Sequence, residues 1–545
     1  MYLRTSTRKN RDGSTVSYLQ LAENVWDPER KRSKARVVCS LGRADGKAQD
    51  RLRQLAASIR RHVSFEAIAA LEPGWRFVNG WEHGPFHVLG ALWERLGLRA
   101  LIADAVRDED RRIDFERAVF AMVANRCLAP ASKLCCYESW LAEDVYFPEG
   151  EEVGLHHLYR AMDLLGRHKE SIEEQLYWHL ADLLSMDVDL IFYDTTSVYF
   201  EIDDEDEGEG SLRRRGYSKD GRGDRPQIVV GMAVTRDGLP VRSWVFAGNT
   251  ADVTTIERVK DDLRGWRLNR CLFVADAGMV SEESLHVIAG GGMHYVVAAP
   301  CRRGTEVAQE VLSRPGRFRD VAQNLRIKEV WVGGGERRRR YVVCFNPLEA
   351  KRQREHRERV LAELEEELSS LGRGRNGPHP KRACELMASR RYGPYLRKLK
   401  GGMLRVDKGA IRERARRDGL WVIRTNDEEL SAEDLALAYK QLMRVEETWK
   451  TMKSGLRIRP MFHRSPGRIE AHVFLCVLAL LLERVAEQQC GESWRSIRRK
   501  LGSIKVGQLL TPNGTICQTS PAGADARNVL KKLKIESPPE VLAVD

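Results

Sequence analysis

The chain has 545 residues, more than a single hydrophobic core usually holds, so we expect two to four packed units. Hydrophobic residues make up 42% of it and charged residues 31%, which excludes an intrinsically disordered or a membrane-embedded protein. The net charge of +12 is compatible with a polyanionic partner or with a solvated basic surface.

The first 75 residues form a basic segment. Residues 1–60 hold 14 Lys and Arg against 6 Asp and Glu. Short β-like runs at 17–21 and 36–41 precede an amphipathic stretch at 52–59. Basic residues interrupt the first apolar positions, which argues against an N-terminal targeting signal. We predict a small basic α+β arm.

From residue 85 to about 184 the sequence has helical periodicity, with apolar side chains three or four positions apart. The predicted helices are 85–96, 115–128, 132–141, 155–165 and 172–184. Short helices with short connections can form helix-turn-helix units that bind DNA, and they also form ordinary packed bundles. The pattern alone leaves both interpretations open.

The segment 190–200, LIFYDTTSVYF, is an apolar strand with one acid, Asp194, near its centre. An isolated buried carboxylate costs several kcal/mol, so Asp194 must be paired, protonated or bound to a metal. A loop of reversed charge follows, with seven acids in 201–209 and six basic residues in 211–225.

The next segments alternate between strands and helices. Strands at 227–235 and 239–247 are predicted to form a hairpin, because the connection contains a Gly turn signal. After a helix at 253–263, the strand 271–275 ends directly at Asp276. Helix 281–288 and strand 293–299 continue the alternation, which predicts a sheet covered by helices.

Residues 301–418 break this rhythm and are predicted to be an insertion, after which strand 419–425 and a helix at 432–453 resume the α/β pattern. On that helix Glu446 shares a face with Tyr439, and Lys450 and Lys453 continue the same line.

The end of the chain offers no chemistry. The longest apolar run, 473–482, is too short to span a bilayer and is predicted as a buried helix. Residues 485–545 are predicted as a helical tail. The eleven cysteines have no C-x-x-C spacing, which argues against a zinc site or a disulfide framework and favours a reducing cytoplasm.

Three acids, Asp194, Asp276 and Glu446, are candidates for a single site. Carboxylates a few ångströms apart repel one another, and divalent cations remove this penalty. Oxygen ligands of this kind suit Mg²⁺ or Mn²⁺, and two such ions can catalyse phosphoryl transfer. Taken singly, an acid such as Asp276 is more often a turn or helix-cap residue, and one such as Glu446 is more often on a solvated helix face.

Four sequence blocks resemble the DDE transposases of bacterial insertion sequences, specifically the IS1634-like branch of the IS4 group. They are YDTTSVYFE, GYSKDGRGDRPQIVVGMAV, ADAGM and RPMFHRSPGRIEAHVFLCVLALLL, and they occur in the expected order. The resemblance extends from about residue 80 to 500.

The resemblance implies an α/β fold: an RNase H-like catalytic core with a mostly β insertion, plus an α-helical N-terminal region that binds DNA. The resulting segments are the basic arm (1–75), the helical DNA-binding region (76–186), the first part of the core (187–300), the insertion subdomain (301–418), the second part of the core (419–484) and the helical tail (485–545).

The family's third-acid signature is a Tyr, Arg, Glu and Lys at fixed spacing. Tyr439, Glu446 and Lys453 fit it, whereas Leu442 stands at the Arg position. Arg444 and Arg457 are candidate substitutes for the missing arginine.

The resemblance implies that Asp194, Asp276 and Glu446 are catalytic and hold two Mg²⁺ or Mn²⁺ ions. The predicted DNA-binding residues are Tyr439, Lys450, Lys453, Arg444, Arg457 and Trp331. Each has an ordinary alternative, such as ion pairing with Glu446 for the lysines or core packing for the aromatic residues. The patch 457–468 could hold the DNA backbone through its guanidinium groups or be a basic loop. His463 and His472 are predicted to be hydrogen-bonded rather than to bind a metal.

The implied mechanism is metal-dependent strand cleavage at the element ends, with or without a hairpin, and strand transfer by the freed 3′-OH. The implied partners are terminal inverted repeats, target DNA and a second copy of the chain, in the bacterial cytoplasm at the nucleoid and without a membrane. Two alternatives remain: an RNase H-like nuclease or resolvase without strand transfer, and a non-catalytic DNA-binding relic.

Overall fold

The computed structural model describes residues 2–10, 14–28, 32–44, 52, 76–107, 114–183, 190–208, 210–266, 272–276, 281–290, 293–301, 305–335, 338–371, 380–399, 403–512 and 514–544. The chain divides into two compact units, and each is described by itself. The smaller unit comprises Met1–Gly80, Gly507–Thr519 and Glu540–Asp545, and the larger comprises Trp81–Val506 and Ser520–Pro539.

The strands are, in chain order, β1 (Tyr2–Lys9), β2 (Thr15–Asp27), β3 (Arg32–Arg43), β4 (Arg76–Glu82), β5 (Leu190–Tyr199), β6 (Gln227–Thr235), β7 (Pro240–Ala247), β8 (Leu272–Ala275), β9 (His294–Ala299), β10 (Arg319–Ala322), β11 (Leu325–Val332), β12 (Arg339–Phe345), β13 (Leu396–Lys398), β14 (Leu404–Val406), β15 (Leu420–Thr425), β16 (Lys505–Thr511), β17 (Gly514–Thr519) and β18 (Val541–Val544).

The α-helices are α1 (Gly84–Arg95), α2 (Leu98–Ala105), α3 (Phe115–Leu128), α4 (Lys133–Cys135), α5 (Leu155–Leu183), α6 (Asp252–Gly265), α7 (Glu282–Gly290), α8 (Pro347–Leu371), α9 (Pro380–Ala388), α10 (Lys408–Ala415), α11 (Ala432–Lys440), α12 (Met443–Lys450), α13 (Pro466–Cys490), α14 (Trp494–Leu501) and α15 (Ala524–Leu533). None of the helices within the described ranges is long and apolar enough to cross a membrane.

The larger unit is built on a sheet with the strand order β10-β11-β12-β15-β9-β8-β5-β6-β7. Strands β5, β6 and β7 form an antiparallel meander, and the β6–β7 turn places Gly238 at φ +78°, where glycine is favoured. Strand β5 pairs in parallel with β8, and β8 in parallel with β9. The meander followed by two parallel strands is the arrangement of an RNase H-like core, which confirms the predicted fold class.

The insertion is continuous with this sheet. Strand β12 pairs with β15, and β15 pairs with β9, so β10–β12 extend the core sheet from its edge. The insertion also holds helices α8, α9 and α10, which contain more residues than its strands, so the prediction that the insertion is mostly β is wrong.

Helices cover both faces of the sheet. The larger cluster of buried side chains joins one face to the helices of the segment 84–183 and to α13. Every residue of α3 is buried, as is the apolar run 473–482 of α13, as predicted. The smaller cluster joins the opposite face to α6 and α7. The strand with Asp194 thus lies in the middle of a layered α/β core.

The two helices predicted at 155–165 and 172–184 are one continuous helix, α5. Gly166 lies within this helix and does not interrupt it. The glycine lets the helix pack closely against the start of α13, since a Cβ there would lie 2.8 Å from the carbonyl oxygen of Gly467. The helix predicted at 132–141 is a single α-turn that continues as a π-helix over Cys136–Asp144.

The prediction of one helix over 432–453 is wrong. The chain tightens between α11 and α12, because the amides of Gln441 and Leu442 donate to carbonyl oxygens three residues earlier instead of four. A π-helical segment, Thr451–Gly455, follows α12. Neither Gly nor Pro marks this interruption in the sequence.

The prediction of a helical tail at 485–545 is also wrong, because three strands follow α14. Strands β16, β17 and β18 form a four-stranded sheet with β4, in the order β18-β17-β16-β4. The Asn513-Gly514 dipeptide was the overlooked hairpin signal in the sequence. In the arm, β1, β2 and β3 form an antiparallel sheet, while the predicted amphipathic stretch 52–59 lies outside the described residues apart from Leu52.

Candidate active site

Asp194 and Asp276 lie at the same level on neighbouring parallel strands. Strands β5 and β8 pair with Phe192 opposite Val274. Continued by two residues, this register sets Asp276, which directly follows β8, opposite Asp194. Side chains two positions apart point to the same face of a sheet, so both acids lie on the face of Phe192 and Val274. The register therefore brings the first two predicted acids together.

Asp194 is largely buried, and its environment disfavours the charged form. Burial is the main cause that raises its pKa to about 6, and the neighbouring carboxylates of Asp252 and Asp276 raise it further. The Lys219 ammonium and the Thr195 amide, which donates to Asp194 Oδ1 at 2.7 Å, act in the opposite direction. Asp194 is therefore a crowded carboxylate that would gain from an added positive charge.

Lys219 brings a cation to this group from the charged loop between β5 and β6. Its Nζ lies 3.1 Å from Asp252 Oδ2 and 4.0 Å from Asp194 Oδ1. It also donates to the carbonyl oxygen and the hydroxyl of Thr195, at 2.8 and 2.7 Å. The Thr195 hydroxyl in turn donates to Asp252 Oδ1 at 2.6 Å. These contacts fix one lysine against the strand that carries Asp194.

Glu446 reaches the same region from α12, which packs against β5. Tyr439 connects it to the sheet: the Tyr439 hydroxyl donates to Asp276 Oδ1 at 3.2 Å. Burial and the carboxylates of Asp276 and Glu446 raise the pKa of this hydroxyl well above its usual value. Glu446 itself is exposed. Asp276 and Glu446 thus both act on Tyr439, and the helix that carries Glu446 contacts the strand that carries Asp194.

Lys453 lies in the π-helical segment after α12 and pairs with the charged loop. Its Nζ is 2.9 Å from Asp220 Oδ1, and Arg459 binds the other oxygen of the same carboxylate. The Arg459 guanidinium also stacks on the Tyr199 ring, 4.7 Å from its centroid. Two cations therefore flank Asp220, the neighbour of Lys219.

The other predicted DNA-binding residues occupy varied positions. Lys450 is exposed at the last residue of α12, and Arg457 is exposed with φ +47°. The Arg444 side chain lies outside the described atoms. Trp331 is half-buried on β11, where the Arg338 guanidinium lies 3.8 Å from its ring centroid. Leu442, at the signature's Arg position, is buried between α11 and α12.

Sequence reasoning assigned no role to Lys219, Asp220 or Asp252, and it named Arg459 only as part of the patch 457–468. Asp252 is the first residue of α6. The available signal was the dense run of charged and Gly residues at 216–225, which joins two buried strands and so must pass close to their ends.

The acids suit a divalent cation by their chemistry. Carboxylate oxygens are the hard ligands that Mg²⁺ and Mn²⁺ prefer, and a cation would relieve the repulsion between Asp194 and its acidic neighbours. In the part of the chain that the structure describes, no three His, Cys, Asp or Glu side chains are grouped closely enough to hold an ion. The fit therefore rests on the adjacent pair Asp194 and Asp276, with Glu446 nearby.

Two family comparisons match the chain. Residues 190–482, more than half of the chain, match the family described as "Transposase DDE domain". Residues 3–69 match "IS1634 family transposase, N-terminal domain". No curated protein matches. Among solved structures, the chain is similar to one titled "Cryo-EM structure of piggyBac transposase synaptic complex with hairpin DNA", with 11% identity and a TM-score of 0.33, over 77% of this chain and 80% of that one.

Proposed function

Because the chain belongs to the IS1634-like DDE transposases, we propose that it cuts DNA strands at the ends of an insertion sequence and joins the freed 3′ ends to target DNA. The observation that carries this proposal is the β5–β8 register, which sets Asp194 beside Asp276. The proposal is supported for Glu446 by the contact of α12 with β5 and by Tyr439, on which both Asp276 and Glu446 act.

In this mechanism Asp194, Asp276 and Glu446 hold two divalent ions, Mg²⁺ or Mn²⁺. When bound, such ions activate the attacking oxygen and stabilise the charge on the leaving oxygen. Tyr439 orients the Asp276 carboxylate through its hydrogen bond. Lys219 offsets the negative charge shared by Asp194 and Asp252.

The proposal assigns DNA binding to basic residues of α12 and of the segment that follows it. Lys450 and Arg457 are exposed for contacts with backbone phosphates, and Lys453 and Arg459 both bind the Asp220 carboxylate. Arg459 takes the role for which Arg444 and Arg457 were the sequence candidates. The partners are the terminal inverted repeats, target DNA and a second copy of the chain that holds the other end. Action on chromosomal DNA places the protein at the nucleoid in the cytoplasm.

The test is a strand-transfer assay with end-labelled terminal DNA, a target plasmid and Mg²⁺ or Mn²⁺. We expect cleaved and joined products from the wild type and from Asp237→Asn, which changes an exposed acid in the β6–β7 turn, and none from Asp194→Asn. Full activity in Asp194→Asn would overturn the catalytic assignment. Cleavage without joining would identify a nuclease, and DNA binding without cleavage a relic.

A further inference from the structure

A cavity of about 620 Å³ lies in the larger unit, and none of the three acids lines it. The start of α4 contributes Ser132 and Lys133 to its wall, and the start of α13 contributes Ser465 and Arg468. Its twelve lining residues include four Arg or Lys and neither Asp nor Glu. The wall therefore carries a strongly positive charge.

Lys133 is the decisive residue, because it is a buried lysine on which no carboxylate is recorded to act. The residue is only 3% exposed, and the side chains that act on its pKa are Arg126, Cys136 and Cys476. The groups that act on it most are its own burial and the Arg126 guanidinium, which both lower its pKa, to about 7. A buried cation without a counter-charge is costly unless a ligand supplies the charge.

The side chains around Lys133 are also hydrogen-bond donors rather than acids. Arg126 is buried and donates to the carbonyl oxygens of Arg457 and Ala131, at 3.0 and 2.8 Å, while its Nε has no partner within the described chain. His472 Nε2 donates to a carbonyl oxygen at 3.0 Å. Arg468 is already paired with Asp163, so the other positive charges of the wall are those of the buried Arg126 and Lys133 and the exposed Arg464.

A helix N-terminus adds to this charge. Helix α13 has 25 residues, and its N-cap residue, Ser465, makes no side-chain capping bond. The first N–H groups of a helix carry a partial positive charge and bind anions, phosphate groups in particular. The exposed Arg464 lies beside them at the rim of the cavity.

We propose that this cavity is a phosphate-binding site and that the phosphate belongs to a DNA strand. A tetrahedral oxyanion supplies the charge that Lys133 lacks and accepts from several donors at once. The DNA part rests on the proposed function, since DNA is the phosphate-bearing polymer that a transposase handles. The site would hold the strand at a distance from the reacting bond and so contribute to binding rather than to chemistry.

The first test uses inorganic phosphate as the probe, with the full chain at constant ionic strength. Phosphate should raise the Tm of the wild type in a saturable way. Lys133→Met keeps a long unbranched side chain but removes the ammonium, and it should weaken the apparent phosphate affinity about tenfold or more. Lys328→Met is the matched control: this other buried lysine donates to the Arg314 carbonyl oxygen outside the cavity, and its loss should leave phosphate binding unchanged.

The second test measures a 5′-phosphorylated oligonucleotide by fluorescence anisotropy in EDTA, where no cleavage occurs. Inorganic phosphate should compete with it, and Lys133→Met should weaken it. Arg464→Gln, at the exposed rim, should weaken both ligands even if Lys133→Met does not fold. Equal phosphate binding by the wild type and both cavity variants overturns the site. Phosphate binding without competition overturns the DNA part. If phosphate binds at the cavity and competes with the oligonucleotide but the protein does not transfer strands, only the proposed function is overturned.

Discussion

Lys453 Nζ lies 2.9 Å from Asp220 Oδ1, although 233 residues separate the two in sequence. This ion pair ties the segment after α12 to the charged loop between β5 and β6. The preceding residue, Lys219, contacts Asp194 and Asp252. Two adjacent loop residues, Lys219 and Asp220, therefore contact the two halves of the core that the insertion separates. We call these contacts of Lys219 and Asp220 the clasp.

The clasp predicts that Asp220→Asn destabilises the larger unit. The substitution removes the charge that Lys453 and Arg459 share and leaves two partly buried cations unmatched. We expect a loss of about 1–3 kcal/mol in the free energy of unfolding, measured by urea denaturation. Asp224→Asn changes an exposed acid of the same loop that pairs with surface arginines, and its effect should stay within about 0.5 kcal/mol. Equal effects of the two variants would contradict the clasp.

Tyr439→Phe should slow cleavage without unfolding the protein. The variant keeps the ring and loses only the hydroxyl that donates to Asp276. One hydrogen bond to a charged acceptor contributes about 1.5 kcal/mol or more, so single-turnover cleavage should slow about tenfold. The Tm should stay within a few degrees of the wild type. An unchanged cleavage rate would show that Tyr439 only packs.

The acidic residues of this site could be predicted from the sequence, whereas the contacts between them and the charged loop could not. Asp194 and Asp276 were identifiable because each stands in or directly after an apolar run, where a charge is costly. The Lys219 contact could not be predicted, because it depends on how a loop without periodicity folds back. The interruption at Leu442 was equally hidden, since no Gly or Pro signals it and burial of the side chain decides the local geometry.

The same distinction holds for the fold. The strands of the core sheet were predictable from their composition, whereas the addition of β10–β12 to its edge was not. The sequence of β15 does not specify which strands pair with it. In the structure its neighbours are β9 and β12. The strands at the C-terminal end were missed because their apolar residues alternate weakly and are only partly buried.

Lys133 should make stability depend on pH. Burial and Arg126 lower its pKa from 10.5 to about 7, and the cations and imidazoles around it include His463, His472 and Arg468. Between pH 7 and 10.5 the unfolded chain binds a proton that the folded chain does not, so stability rises with pH in this window. Lys133→Met has no titrating group at this position and lacks this pH dependence. We expect the variant to be more stable than the wild type at pH 6 and the difference to shrink at pH 9. The difference at pH 6 should be a few kcal/mol, since one pKa unit corresponds to about 1.4 kcal/mol. A constant difference would contradict the burial of this ammonium.

Glu483 should have the opposite pH dependence. It is buried on α13, and burial first, then the carboxylate of Glu487, raises its pKa from 4.5 to about 8 against the effects of Arg484 and Arg498. The folded chain therefore retains a proton between pH 4.5 and 8 that the unfolded chain releases, and stability is lost as pH rises through this window. Glu483→Gln cannot ionise, so it should match the wild type near pH 5 and exceed its Tm at pH 9. Glu365→Gln, on the exposed face of α8, controls for the loss of one negative charge and should show no such divergence. If both variants follow the wild type at every pH, Glu483 is ionised in the folded protein and must have a counter-charge among its neighbours.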